Sequence, residues 1–504
     1  MIPRSVARAT VLCLLATSVA TAQAPRLGTI ALPNSGNAAA QEPFTRGVLY
    51  LHSFEFGSAA EAFRAAQQAD PGFALAYWGE ALSYNHPLWG EWDDAAAHAA
   101  LARLAPTPAA RRAKAPTHRE QMYLDAVEAL WAEGNKPQRD TAYSLAMEQL
   151  VRAHSDDDEA RTLWALSILG LSGTTRVVPS YMRGAAIAQE VFARNPDHPG
   201  AAHYIIHSFD DPVHAPLGLP AARAYSKIAP DAAHAQHMTT HIFLAMGMWD
   251  DVVSQNEVAA GLTNWGPGHY TYWLVYGQLQ QGRHANARTQ LERAHREMGS
   301  PGRPAQRSYL AYMRAHYVIN AEAWDDPVLG WAIDADAPEP RAMDAFVQGY
   351  AALRRGDRDA IGPQLERLQA AASTGESGAA RVLMLNLAAA IAAEDGAAAR
   401  ARELLDQATA LEDSLPVEFG PPGIVKPSWE LLGELRLAQG HAAEAQTAFT
   451  HALALGPKRA LSLRGLIAAA TAAGDQAAAT RARQDLTAIW HSADETVRRT
   501  VVAR

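Results

Sequence analysis

At 504 residues the chain could hold three or four ordinary domains, but its 48% hydrophobic content rests on alanine with few β-branched runs, which points to stacked helices. The formal charge of -9 grows more negative once a leader bearing Arg4 and Arg8 is removed, and this excludes nucleic acid as the expected partner.

Residues 1–22 read as a secretory signal, with an Arg-bearing start, a short apolar run and small residues in A-x-A spacing ending at Ala22. The run is too short to hold a protein in a bilayer, so the expected location is periplasmic or secreted, with no membrane anchor. Cys13, the one cysteine of the chain, lies in this run, and a metal site beyond it has to use His, carboxylate or Met. Residues 23–40 read as a flexible lead-in. Two helical arrays are expected after it, at 41–298 and 305–495, with a soft boundary near 300.

The first array opens with Gly47, Tyr50, Ala59, Phe63, Ala66 and Pro71, which space a helix–turn–helix unit starting near Ala40. Small residues let two helices approach, an aromatic ring fills the gap, and proline stops the second helix. His52 and His86 stand 34 residues apart at one register position of the first two units. Arg111, Arg112 and Lys114 sit in a Pro/Ala-rich connector and read as a solvated linker. Weaker helical pairs are expected around 118–170.

Seven of the 19 histidines then fall between positions 198 and 241. His203 and His207, in HYIIH, are followed 34 residues later by His237 and His241, in HMTTH. Positions i and i+4 share a helix face, so each pair presents two imidazoles the same way. Pro196 and Pro230 close the preceding helices and set both pairs at the fifth and ninth positions of adjoining units. Neighbouring helices pack about 8–10 Å apart, a gap that facing imidazoles close around an ion through bonds of about 2.0–2.1 Å. A metal site of His203, His207, His237 and His241 is therefore expected, with zinc ahead of copper or iron as the divalent ion. A lone His-x-x-x-His is as readily a polar pair in the core, and it is the repetition in register that changes the reading. His234 is a further candidate ligand. Asp210 and Asp211 end the first His helix before Pro212 and could orient an imidazole or act on metal-bound water. His198 and His214 read as loop residues.

Farther on, Trp273, Gly277 and Gly282 mark a unit with an irregular join to its predecessor, and Pro/Gly-rich loops are expected at 299–306, 334–340 and 412–427. The last is long for a solenoid and is a candidate to fold back on the concave face. Helical segments are expected at 342–370 and 382–413. Trp429, Leu432, Gly433, Ala445, Phe449 and Pro457 then take the W-x2-L-G…A-x3-F…P spacing of a tetratricopeptide unit, and the next frame starts at Ala460. The expected fold class is all-α, a tetratricopeptide-like solenoid of stacked antiparallel helix pairs.

Four stretches, RGVLYLHSFEFGSAAEAFRAAQQADPGFALAYWGEAL, HPGAAHYIIHSFDDPVHA, APDAAHAQHMTTHIFLAMGMWDD and GPPGIVKPSWELLGELRLAQGHAAEAQTAF, resemble exported bacterial tetratricopeptide proteins with HYxIH and HMxxHIF motifs. The resemblance implies that the fifth and ninth positions of a unit's first helix line the concave groove, as does the thirteenth, where His52 and His86 stand. Glu55, Tyr77, Trp78, Trp89 and Trp92 are groove candidates on the same ground, although core packing explains their spacing as well.

The chain has no HExxH, GxSxG, GxxxxGK[ST] or GxGxxG motif, so the enzyme classes that need them have no support. The leading expectation is a groove that binds a peptide, protein or small ligand, with a His-held metal ion in its surface. Two alternatives stay open: a metalloenzyme whose zinc, copper or iron activates water or oxygen, and a scaffold without metal.

Overall fold

The structure, a computed structural model, describes residues 24–502 apart from 174, 264, 300, 301, 374–376 and 418. The expected leader at 1–22 lies outside the described residues. Among those described, 25 α-helices are joined by short turns, with one 3-10 turn and one two-stranded hairpin, Asn85–His86 against Glu91–Trp92. The molecule is an all-α, tetratricopeptide-like solenoid. Its helices run as antiparallel pairs: Ala38–His52 with Phe56–Ala69, Pro199–Ser208 with Ala215–Ile228, Ala233–Ala245 with Trp249–Leu262, His269–Gln280 with His284–Met298, and so on to Ala460–Ala473 with Gln476–Ile489. Pro304–Asn320 departs from the pattern, because the 3-10 turn Pro327–Gly330 stands where a second helix is due.

The repeat residues do what their spacing suggests. The Phe63 ring lies between Gly47 and Gly79, where an added β-carbon would come within 2.8 and 2.3 Å of it. Phe449 lies in the same way between Gly433 and Gly465, at 2.8 and 2.2 Å. Each phenylalanine thus locks the second helix of one unit to the first helices of its own and the next unit.

Residues 24–37 are not a loose lead-in but an extended strap. Leu27 and Leu32 are buried, Thr29 N donates to the Asp197 carbonyl at 3.0 Å, and Ser35 N donates to Glu120 Oε1 at 2.7 Å. The two leucines supply the apolar anchors, and the backbone N–H groups of Thr29 and Ser35 find partners on separate units.

The apolar core changes over around Tyr272–Tyr276 and not near 300. Helices Ala460–Ala473 and Gln476–Ile489 return to the first core: Trp249 Nε1 donates to the Lys458 carbonyl at 3.1 Å, and Trp490 Nε1 to the Gln280 carbonyl at 3.0 Å. The superhelix therefore closes on itself around the middle units. No described helix is long and apolar enough to cross a membrane.

Candidate metal centre

Three successive inner helices, Pro199–Ser208, Ala233–Ala245 and His269–Gln280, carry the clustered histidines. The first starts where it does because His198 Nδ1 accepts from Ala201 N at 3.2 Å and Pro199 takes the first helical position. On the second, His234, His237 and His241 share one face, as spacings of three and four require.

The four expected ligands do not form a single four-His set. They divide into two three-histidine groups, His203 with His207 and His234, and His237 with His241 and His269, each able to offer ring nitrogens within 4.8 Å of one another. The groups adjoin, with ring centroids 6.0 Å apart for His207 and His241 and 6.1 Å apart for His234 and His237. His234 stands one turn before His237, and that offset lets one helix serve both groups. His269, 35 residues after His234 in NWGPGHYTYW, is a ligand candidate that sequence reasoning missed. The irregular join at 263–268 shifts it out of the 34-residue register. Its only signal was a histidine at the start of the next inner helix.

In the first group, His203 Nδ1 lies 2.7 Å from the backbone carbonyl of His52. A carbonyl only accepts, so Nδ1 carries the proton and Nε2 is a bare lone pair. The Nε2 atoms of His203, His207 and His234 are all buried and, among the described residues, without a hydrogen-bond partner. Phe54 packs on this group, 4.4 Å from His203 and 5.4 Å from His234, from a left-handed backbone conformation at φ 54° that phenylalanine rarely adopts. Burial pushes the His203 pKa down to about 3 and holds His207 and His234 well below the usual imidazole range.

In the second group two rings, His237 and His241, have their tautomers fixed in the same way. Asn256 turns its amide nitrogen to the Val252 carbonyl and Thr240, leaving Oδ1 to accept from His237 Nδ1 at 2.8 Å. The Asp210 carboxylate accepts from His241 Nδ1 at 2.5 Å. Both Nε2 atoms are thereby bare, yet they face each other at 3.1 Å. Two lone pairs at that distance repel unless a proton or a cation sits between them. Tyr309 Oη lies 3.3 Å from His269 Nδ1, and Trp273 packs over His237 and His241 at 4.7 and 4.4 Å. Burial pushes His269 down to about 3 and lowers His237 well below the usual range.

The remaining candidates separate. Asp210 meets the site as the carboxylate behind His241, whereas Asp211 is turned away, bound to Arg176 at 2.6 Å and to His214 at 2.8 Å. His52 does not line the groove: its ring is fully buried between Glu159 Oε2, at 2.7 Å, and Tyr204 Oη, at 3.0 Å. The solenoid does curve enough to bring the first unit to the cluster, but through the His52 carbonyl, the Phe54 ring and the Glu55 carboxylate, which accepts from His234 N at 3.2 Å. His86 is one ring removed, stacked on Phe56 at 3.9 Å, and Trp89 stands between it and His234. Tyr77 and Trp78 are core, and Trp92 is exposed. His52, Glu159 and His198 form a third close group, but every ring nitrogen there already has a partner, and so it works as a buried polar lock.

The loop after Ala398–Ser414 folds over the inner face. Gly420 lies against Trp273, where a β-carbon would stand 2.4 Å from the indole, and Tyr272 Oη donates to the Pro421 carbonyl. What stays open is a cavity of about 690 Å³ that begins at His269.

No protein-family model and no curated protein matches the chain. Among solved structures it is similar to the APC/C hetero-tetramer Cut9-Hcn1, with 12% identity and a TM-score of 0.34 over 93% of this chain and 77% of that one. A tetratricopeptide repeat protein from Parabacteroides merdae matches with 11% identity and a TM-score of 0.29, covering 66% of this chain and 99% of that one. The human IFIT1 dimer with PPP-AAAA matches with 11% identity and a TM-score of 0.35, covering 89% of each.

Proposed function

We propose that the protein holds two metal ions in adjoining three-histidine sites, the second of which borders, through His269, the inner cavity where a small ligand binds. The observation that carries this reading is the set of three buried Nε2 atoms, on His203, His207 and His234, with no partner among the described residues. A buried polar atom left unpaired costs on the order of 1–3 kcal/mol, and a fold that keeps three of them in one place needs something to bind there. The carbonyl behind His203 and the carboxylate behind His241 are the outer-shell partners that metal-ligating imidazoles use.

Three ligands per ion is the open form of such a site, which favours chemistry over a purely structural role. A zinc ion held by these histidines would supply Lewis-acid chemistry, lowering the pKa of a water and polarising a ligand oxygen. The loop at 415–424 occupies part of the inner face where an extended peptide would lie, so a small ligand fits better than a long one. Export by the leader expected at 1–22 belongs to the same proposal and puts this chemistry outside the cytoplasm.

Metal analysis after separate reconstitution with zinc, copper and iron tests it. The expected content is about two ions per chain with the preferred metal, zinc first. Replacing His207 with alanine removes one ion, and so does replacing His269, while replacing the exposed His98 removes none. A wild-type protein that takes up no metal from any of the three refutes the proposal.

A further inference from the structure

The cavity at His269 is larger than a metal centre needs, and the chemistry of its wall is selective. At about 690 Å³ it has the size of a small-molecule site. Trp273, Tyr309 and Tyr312 line it from two inner helices, and Phe419 lines it from the loop that folds over them. Among the described residues that line it there is one carboxylate, that of Glu339 in the first turn of Pro338–Arg355. Two things act on that carboxylate: burial, which raises its pKa, and the Tyr312 hydroxyl, which opposes that rise, and among the described residues no cationic side chain contributes. The first turn of a helix favours a negative charge at this position.

Aromatic faces attract cations through their ring quadrupoles, and a carboxylate taken out of water gains most from a counter-charge. We infer that the cavity binds an organic ammonium ion, its charged nitrogen paired with Glu339 among Trp273, Tyr309 and Tyr312, and its other end reaching along Phe419 to His269. Neutral molecules of the same shape fill the space but leave the carboxylate uncompensated, and anions are repelled by it. The ligand class goes beyond the metal reading and does not depend on it, since none of the residues that hold the ammonium group ligates an ion.

Calorimetric titration of the full-length protein with phenethylamine and with the neutral 2-phenylethanol, near neutral pH, tests the inference. The amine is expected to bind about tenfold more tightly than the alcohol. Glu339→Gln keeps a partner for the Tyr312 hydroxyl but removes the charge, and is expected to bring the two affinities together without lowering the melting temperature. Equal affinities in the wild type, no saturable binding of either probe, or a preference that survives Glu339→Gln overturns the inference. Running both titrations on chelator-treated protein separates the two readings. An amine preference there stands whether or not metal ever binds, and its absence there counts against the ammonium site alone.

Discussion

At the scale of single residues, the informative contact is the 3.1 Å approach of His237 Nε2 and His241 Nε2. Asn256 and Asp210 each take the Nδ1 proton of one ring, and this is what turns both lone pairs inward. Asp210 does more than orient: its charge makes the His241 ring a stronger donor to a cation. Asp210→Asn keeps an acceptor for the same N–H but loses the charge. It is expected to weaken one of the two ions by about 10- to 100-fold and leave the other unchanged, as read by competition against a zinc chelator. A uniform loss at both ions, or none, would count against the pairing of Asp210 with one group. The HYIIH and HMTTH pairs were legible because a helix puts i and i+4 on one face whatever surrounds it. The division into two groups was not, because it depends on how far one helix slides against the next, and on a loop at 263–268 that changes the count.

At the scale of helices, the array is held by rings wedged against glycine. Gly79 and Gly47 leave room for Phe63, and any β-carbon on Gly79 has to displace the ring. Gly79→Ala is expected to destabilise the protein by about 1–3 kcal/mol, the usual cost of overpacking, and adding Phe63→Leu, which replaces the ring with a smaller side chain, should return part of it. Gly57→Ala is the matched control, since nothing lies within 4 Å of its added carbon and helix propensity favours alanine. Thermal melts of Gly79→Ala, of its combination with Phe63→Leu and of the control decide this, and equal losses at Gly79 and Gly57 would refute the wedge. These positions were readable from spacing alone because a backbone contact between two helices tolerates few residue types. The strap at 24–37, the loop on Trp273 and the return of the last helices were not readable, since each pairs segments far apart in sequence by contacts that many sequences can make.

At the scale of the whole molecule, burying so many imidazoles makes the fold sensitive to acid. In the metal-free protein, burial pushes His203, His269 and His316 down to about 3 and lowers His52, His207, His234 and His237, whereas the unfolded chain protonates its histidines near 6.5. Between those values the unfolded state binds more protons, so stability falls as pH drops from 6.5 toward 3 and is fully retained above 6.5. Each such histidine contributes a slope of about 1.4 kcal/mol per pH unit. Glu159 acts in the same direction lower down. Burial by itself raises its pKa, but His198 and His52 outweigh that and hold it below the usual 4.5, so its contribution is lost as pH falls beneath 4.5. Urea midpoints of chelator-treated protein should therefore decline steadily below pH 6.5 and stay level between neutral pH and pH 8. Bound metal requires the same imidazoles to be unprotonated, so its stabilising effect should be largest on that plateau and vanish along the same acid limb. A metal-free midpoint that stays flat from neutral pH down to pH 5 would mean that these histidines accept protons in the folded state, and so are not sealed from water as their burial requires.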